Sequence, residues 1–336
     1  MIGRTNAGGG ENLDSAIEIQ ATDLTDLQTQ INALDDDSTL VDLKGMYEGT
    51  LTEVNVPEGV TNIRGWCFYN QATITKINLP SSVTSIGWVT DSSGQKIYEG
   101  GCFSRCTKLE SVNLEGVTDI ATFNSLCNDC TSLKTIQFND NATIANMGDS
   151  FYVFYNCRAL ESINLPNALT VLGNYFFNNC SKLKELKGGW KNITTIGYGS
   201  FGSCELLDMP ELPEGVVTLE NDCFKFCKSL KWKYLPSSIT KILVSSFQGC
   251  IGLTEMTFKG NITDIRTSAF TSCTNLTKFS FPNNTAVPTL ASISAIPNGA
   301  DFTGIIEVPA SLLDTWKAST NWSSLTNANW VALEGK

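Results

Sequence analysis

Histidine is absent from all 336 residues, and this absence excludes more than any motif in the chain. Without imidazole there is no Ser-His-Asp or Cys-His catalytic arrangement, no His-containing metal site and no side chain that ordinarily titrates near neutrality. Charge is also sparse, at 17% of residues against about 25% in an average domain. Basic residues are in deficit, 23 against 34 acids, for a net charge of −11. Nucleic-acid phosphates need a basic face, so no nucleic-acid partner is expected. No apolar run approaches the roughly 18 residues of a membrane span. No Gly-rich phosphate loop occurs, and Asn139-Asp140-Asn141 lacks the Gly and distal Glu of a calcium loop. The composition therefore predicts no enzyme, no cofactor and no metal. A hydrolase using two converging carboxylates is the remaining catalytic alternative, but no spacing picks out such a pair.

What the chain has is a repeat. Eight cysteines, Cys106, Cys130, Cys157, Cys180, Cys204, Cys227, Cys250 and Cys273, recur at steps of 24, 27, 23, 24, 23, 23 and 23 residues. Gln71 takes the same position one unit earlier, before a 35-residue step. The unit reads F-x-x-C-x-x-L-x-x-I-x-L-P-x-x-V-T-x-I-G, and its clearest copy runs from Phe154 through Cys157, Leu160, Ile163, Leu165 and Pro166 to Gly173. The I-x-L alternation points two side chains to one face of a short strand. Proline then ends the ladder, because it has no N–H to donate. V-T-x-I reads as a second short β segment, followed by a glycine turn. One unit cannot bury its apolar face alone, so the copies must stack into a β-rich solenoid, a right-handed pile of parallel short strands.

The flanks divide the chain further. Residues 1–15 are a flexible Gly-rich segment around Gly8-Gly9-Gly10. No secretory signal is present there, so a leader is either trimmed or never made. Residues 16–48 read as an N-terminal cap, with Leu24, Leu27, Ile31 and Leu34 at helical spacing after an N-cap at Thr22-Asp23. Residues 49–282 hold the repeats, and 283–336 form a C-terminal cap. In that cap Ile305–Pro309 is expected as a last strand and Ser311–Ser319 as a short helix, with Leu312, Leu313 and Trp316 turned to the stack. Between Gln71 and Cys106 lies an insertion, Trp88–Gly101, which carries Trp88 and Tyr98 beside Asp91-Ser92-Ser93-Gly94.

The twelve cysteines admit three readings: disulfides between coils, a metal site at Cys127-x-x-Cys130, or a ladder of buried thiols. In-register side chains point the same way, which suits parallel packing better than S–S bonds. A tetrahedral site wants four ligands, and no second pair shares the Cys127-x-x-Cys130 spacing. The ladder is therefore expected. Cys67, Cys102 and Cys223, each just before a Phe, are expected to be the exposed or paired ones.

If Ile and Leu of each strand face inward, the residues before them face out. The early units then present an Asn and Gln column, which can hydrogen-bond along the stack. Later units place Met209, Trp232 and Tyr234 on one face, and exposed aromatic and Met side chains are typical of binding surfaces. Two departures complicate this register, since Pro210 and Lys233 stand where the core Ile belongs. Trp232 and Tyr234 have a second reading, folding back over the gap that Lys233 leaves.

Phe177-x-x-Cys180-x-x-Leu183 and Leu235-Pro236-Ser237-Ser238-Ile239-Thr240 carry a likeness that spans roughly Leu51 to Pro282. The unit resembles the BspA-like leucine-rich repeat, a 23-residue variant of bacterial and some protist surface proteins. The resemblance implies a non-enzymatic adhesion protein at the cell surface or outside the cell, whose partner is a protein or glycan receptor on a host or neighbouring cell. It has no catalytic residues to carry over. The opening MIGRTNAGGG instead resembles the start of tail-associated proteins of phages of gut bacteria. This implies, as an alternative, a receptor-binding component of the virion tail. Under either reading the candidate ligand-binding residues are Met209, Trp232, Tyr234, Trp88 and Tyr98.

Overall fold

The computed structural model describes residues 51–334, apart from 57, 58, 91–94, 99, 147–149 and 210. The Gly-rich start, the expected first helix and the phage-like decapeptide lie outside the described residues. The chain forms two compact units, one of residues up to Leu169 with Lys187–Gly189, the other of Thr170–Leu186 with Trp190 onward. Each is built from the same coil.

In the first unit, strands Glu53–Asn55, Lys76–Asn78, Ser111–Leu114 and Thr135–Phe138 pair side by side in parallel. A second parallel sheet joins Asn62–Ile63, Ser85–Ile86, Asp119–Thr122 and Thr143–Asn146. These are the I-x-L and V-T-x-I segments respectively. In the second unit, the second-strand column runs through Val171–Leu172, Thr195–Ile196 and Thr218–Leu219, then through Lys241–Ile242, Asp264–Ile265 and Thr289–Leu290. The first-strand column there joins Tyr234–Leu235, Glu255–Phe258, Lys278–Ser280, Ile305–Pro309 and Asn329–Leu333. Ile305–Pro309 is thus stacked as the sequence leads one to expect. The parallel strand after it, Asn329–Leu333, has no I-x-L-P signature. Between them a helix covers Leu313–Ala318, with Trp316 and Trp322 buried against Phe281.

Side chains at one repeat position form columns inside each unit. Phe177, Phe201, Phe224, Phe247 and Phe270 stack ring on ring with centroids 5.5, 5.2, 5.6 and 5.4 Å apart. Each such contact adds about 0.5–1.5 kcal/mol to the burial itself. Phe68 and Phe103 begin the same ladder in the first unit, 5.8 Å apart. It is interrupted at Cys127, and there Phe123 and Phe138 meet edge to face to fill the space.

The cysteines form a hydrogen-bonded column. Cys227 Sγ donates to the carbonyl of Phe201, Cys250 to Phe224 and Cys273 to Phe247, at 3.1, 3.0 and 3.0 Å. Cys106 and Cys130 do the same to Phe68 and Phe103, both at 2.9 Å. Each thiol thus gives a second hydrogen bond to a carbonyl of the coil before it, which already accepts from a backbone N–H of its own turn; no purely apolar side chain could add it. All twelve cysteines are buried, and none is in a disulfide. This corrects the expectation for Cys67, Cys102 and Cys223. They stand at the inward position filled in other coils by Ser200, Ser246 and Ala269, all of them fully buried. Burial pushes the thiols of Cys67, Cys204 and Cys223 well above their ordinary range, and that of Cys273 up to about 12.

The threonine of V-T-x-I has a matching role. Thr143, Thr194 and Thr263 each donate a hydroxyl to the equivalent threonine carbonyl one coil earlier. On the outer face, Asn78 Nδ2 reaches Asn55 Oδ1 at 2.7 Å, whereas Asn113 turns to the backbone N–H of Glu115. The polar column therefore hydrogen-bonds along the stack in part.

Candidate binding surface

The residues named from the sequence fall in both units, Trp88 and Tyr98 in the first and Met209, Trp232 and Tyr234 in the second. Met209 and Trp232 are 2% and 1% exposed, which corrects their expected outward placement. Lys233 is the cause. A charged ammonium cannot take the core position without a partner, so the chain leaves strand geometry over 231–233, and pairing with the next coil resumes at Tyr234. Lys233 swings out to Glu255 at 2.9 Å. Trp232 takes the vacated volume, its ring against Phe224 and Phe247 and its Nε1 donating to Met209 O at 2.9 Å. Tyr234 stays half-buried, with Lys259 Nζ 3.5 Å above its ring and Glu214 3.2 Å from that ammonium.

The insertion is a hairpin, Trp88–Thr90 antiparallel to Lys96–Tyr98, with Trp88 and Tyr98 as register partners. Trp88 is half-buried and donates from Nε1 to Asp119 Oδ2 at 2.9 Å. The Tyr98 side chain lies outside what the structure describes.

The exposed aromatic surface lies elsewhere, on the turn that precedes each repeat cysteine. Successive turns hydrogen-bond as a parallel ladder. Trp66, Phe68 and Asn70 N–H donate to Gly100, Cys102 and Ser104. Gly101, Phe103 and Arg105 donate to Asn124, Leu126 and Asn128, and Ser125, Cys127 and Asp129 to Phe151, Val153 and Tyr155. Three columns of the turn follow in the first unit: Trp66, Gly101, Ser125, Tyr152; then Tyr69, Ser104, Asn128, Tyr155; then Asn70, Arg105, Asp129, Asn156, with Gly101 and Ser104 buried among them. The first and third columns have left-handed backbone throughout, including Trp66 at φ 61° and Tyr152 at φ 54°. Bulky side chains seldom accept that conformation, which costs on the order of 1–3 kcal/mol.

Trp66 and Tyr69 meet edge to face at 5.4 Å, and Tyr152 and Tyr155 at 5.5 Å. Trp66, Tyr69 and Tyr152 are 38%, 38% and 41% exposed. Gly101 makes the first pair possible, since a Cβ there would stand 2.3 Å from the Trp66 ring. The same match recurs in the second unit, where the Phe226 ring lies over Gly249. Sequence reasoning missed this face because turns have no apolar period. The signal was available all the same: aromatic residues both five and two positions before the repeat position in the Trp66 and Tyr152 coils, where the other coils have Gly, Ser, Asp or Tyr175 at the first and Ser, Asn, Gly, Lys, Gln or Thr at the second.

Among the described residues no group of three His, Cys, Asp or Glu is placed to hold a metal ion, and no helix is long and apolar enough to cross a membrane. Parallel coils that bury their thiols and offer turns and outward strand positions to solvent define a leucine-rich-repeat solenoid. The BspA type leucine rich repeat region matches in six copies, over residues 44–151, 96–231 and 194–292, and the chain belongs to this family. No curated protein matches the chain. Among solved structures, it is 19% identical to the pneumococcal vaccine antigen PcpA, covering 84% of this chain and 68% of that one at a TM-score of 0.52. A leucine-rich repeat protein from Bacteroides ovatus is 19% identical, with 85% of both chains covered and a TM-score of 0.46. One from Eubacterium ventriosum is 24% identical over 53% of this chain, with a TM-score of 0.41; the chain spans 43% of that protein.

Proposed function

We propose that this protein is a non-enzymatic binding protein of the cell surface or extracellular space, whose turn face recognises a protein or glycan on another cell. The observation that carries the reading is the pair of exposed aromatic platforms in one unit, Trp66–Tyr69 and Tyr152–Tyr155, in columns otherwise filled by Gly, Ser and Asn. Exposed aromatic side chains with little freedom left to lose are the usual anchors of recognition. The Trp88–Tyr98 hairpin enters the chain just before Gly101 and so borders this face. The family resemblance supports the location, and the absence of any histidine supports the lack of catalysis.

The test is a screen of immobilised glycans and extracellular host proteins, comparing wild type with Tyr152→Ala, Trp88→Ala and Tyr234→Ala proteins of unchanged melting temperature. Binding weakened at least tenfold by Tyr152→Ala and unchanged by Tyr234→Ala is expected. Binding that survives Tyr152→Ala, or no binding by wild type to either class, would overturn the reading.

A further inference from the structure

The exposed cations of the first unit are used in two ways. Lys76 pairs with Glu53 and Lys134 with Glu110, each one coil apart, at 3.1 and 2.8 Å. Arg105, Lys108 and Arg158 pair with no described carboxylate. Arg105 is exposed, and its guanidinium stands 5.7 Å from the Tyr69 ring centroid, beside the Trp66–Tyr69 pair. Arg158 is exposed three residues after Tyr155 in the chain, and its Nε donates to Asn156 Oδ1 at 2.6 Å. Neither arginine has an ion-pair partner among the described residues, although the chain carries a net charge of −11.

The spacing suits an extended ligand. Trp66 and Tyr152 stand at the ends of one column, three coil steps apart, which is about 14 Å at about 4.8 Å per step. Between them stand small or polar residues, Gly101 and Ser125 in one column and Ser104 and Asn128 in the next, of which Gly101 and Ser104 are buried. Asp129 is the one acid of these columns. Its Oδ1 accepts from Asn156 Nδ2 at 2.8 Å, and it sits between the two arginines, so anionic groups are favoured at the platforms and disfavoured midway.

We infer that this trough binds an acidic oligosaccharide, with sugar rings stacked on the Trp66–Tyr69 and Tyr152–Tyr155 pairs and carboxylates at Arg105 and Arg158. The inference rests on the turn face being the recognition surface. Aromatic rings lie well against the C–H faces of pyranoses. The planar, five-donor guanidinium takes a carboxylate with two parallel hydrogen bonds. Asn70, exposed on the turn, supplies an amide for a sugar hydroxyl beside the first pair. The chain's overall negative charge opposes a polyanion only weakly at short range, because salt screens it beyond about 8 Å under physiological conditions.

Calorimetric titration of the full chain with tetragalacturonate, against the same tetramer fully methyl-esterified, tests the idea by removing only the charges. Binding of the acid form, at least tenfold weaker for the ester and at least tenfold weaker in both Arg105→Gln and Arg158→Gln, is the expected result. Because both arginines are exposed, these variants are expected to keep the wild-type melting curve, and Lys134→Gln serves as a charge control that should leave binding unchanged. Sialyllactose against lactose gives a second pair that differs by one carboxylate. Equal binding of acid and neutral forms in both pairs would overturn the inference, as would no binding of either acid. If the acids fail while Tyr152→Ala still abolishes binding of a host protein in the wider screen, the turn-face reading stands and only the acidic-sugar inference falls.

Discussion

At the residue scale, the repeat cysteine is best understood as a buried donor. A valine or alanine would fill part of the same volume, but Phe201 O would then keep only the backbone N–H of Cys204 and lose its second donor. Losing one such hydrogen bond costs about 0.5–1.5 kcal/mol. Cys227→Ala is therefore expected to destabilise the fold by about 1–2 kcal/mol, from the lost hydrogen bond together with the small cavity. Cys227→Ser keeps a donor at a shorter reach and should cost less. Urea denaturation of the two variants checks the order: an alanine protein at least as stable as the serine one would mean that the thiol matters for packing alone.

At the element scale, the left-handed turn residues are coupled in pairs across neighbouring coils. Phe226 at φ 61° lies over Gly249 at φ 73°, and a Cβ on Gly249 would meet the ring at 2.4 Å. Gly249→Ala therefore carries two penalties, a disfavoured backbone conformation and a clash with an aromatic ring, and should cost upward of about 2 kcal/mol. In a Phe226→Ala background the clash disappears and only the backbone penalty of roughly 1 kcal/mol remains. A double-mutant cycle from melting curves should thus show a coupling of 1 kcal/mol or more, on the order expected for touching groups. Additive costs would show that the ring moves aside freely.

The same scale shows what the sequence could and could not reveal. The two short strands were legible because I-x-L and V-T-x-I repeat with the period of a pleated strand and end at Pro or Gly. The cysteine ladder was legible because eight equivalent thiols cannot all find partners elsewhere. The register at Trp232 and Lys233 was harder, since a fixed repeat template sends Lys233 inward. Only the cost of burying its charge exchanges the two, and that decision depends on Glu255 one coil away. The turn face was not legible from hydrophobic period at all, because its columns are set by backbone ladders and φ values. Trp66, Tyr69, Tyr152 and Tyr155 look in sequence like core residues near a cysteine.

At the scale of the whole molecule, the missing histidines shape the dependence of stability on pH. No side chain with an ordinary pKa near 6.5 exists to change charge between pH 5 and 8, so stability should be level across that range. Below it, Glu53 and Glu307 matter. The hydrogen bond from Asn78, and then Lys76, holds the Glu53 carboxyl below its usual value. At Glu307 burial works the other way, but Lys278 and Ser280 outweigh it. A depressed carboxylate contributes stability above its unfolded value, near 4.5, and this is lost as pH falls through the folded one. Above neutrality the sign reverses. Hydrogen bonds with Asp222, then Tyr175, push Tyr198 up to about 12 from 10.0, and burial moves Cys273 from 9.0 to about 12. Both groups hold their protons more tightly when folded, so their contribution is complete below the unfolded values and lost between about pH 9 and 12. Melting temperature is expected to form a plateau from pH 5 to 8 with a fall on each side, the alkaline fall shallower in Tyr198→Phe. A step inside the plateau would show that a group outside those named here couples to folding.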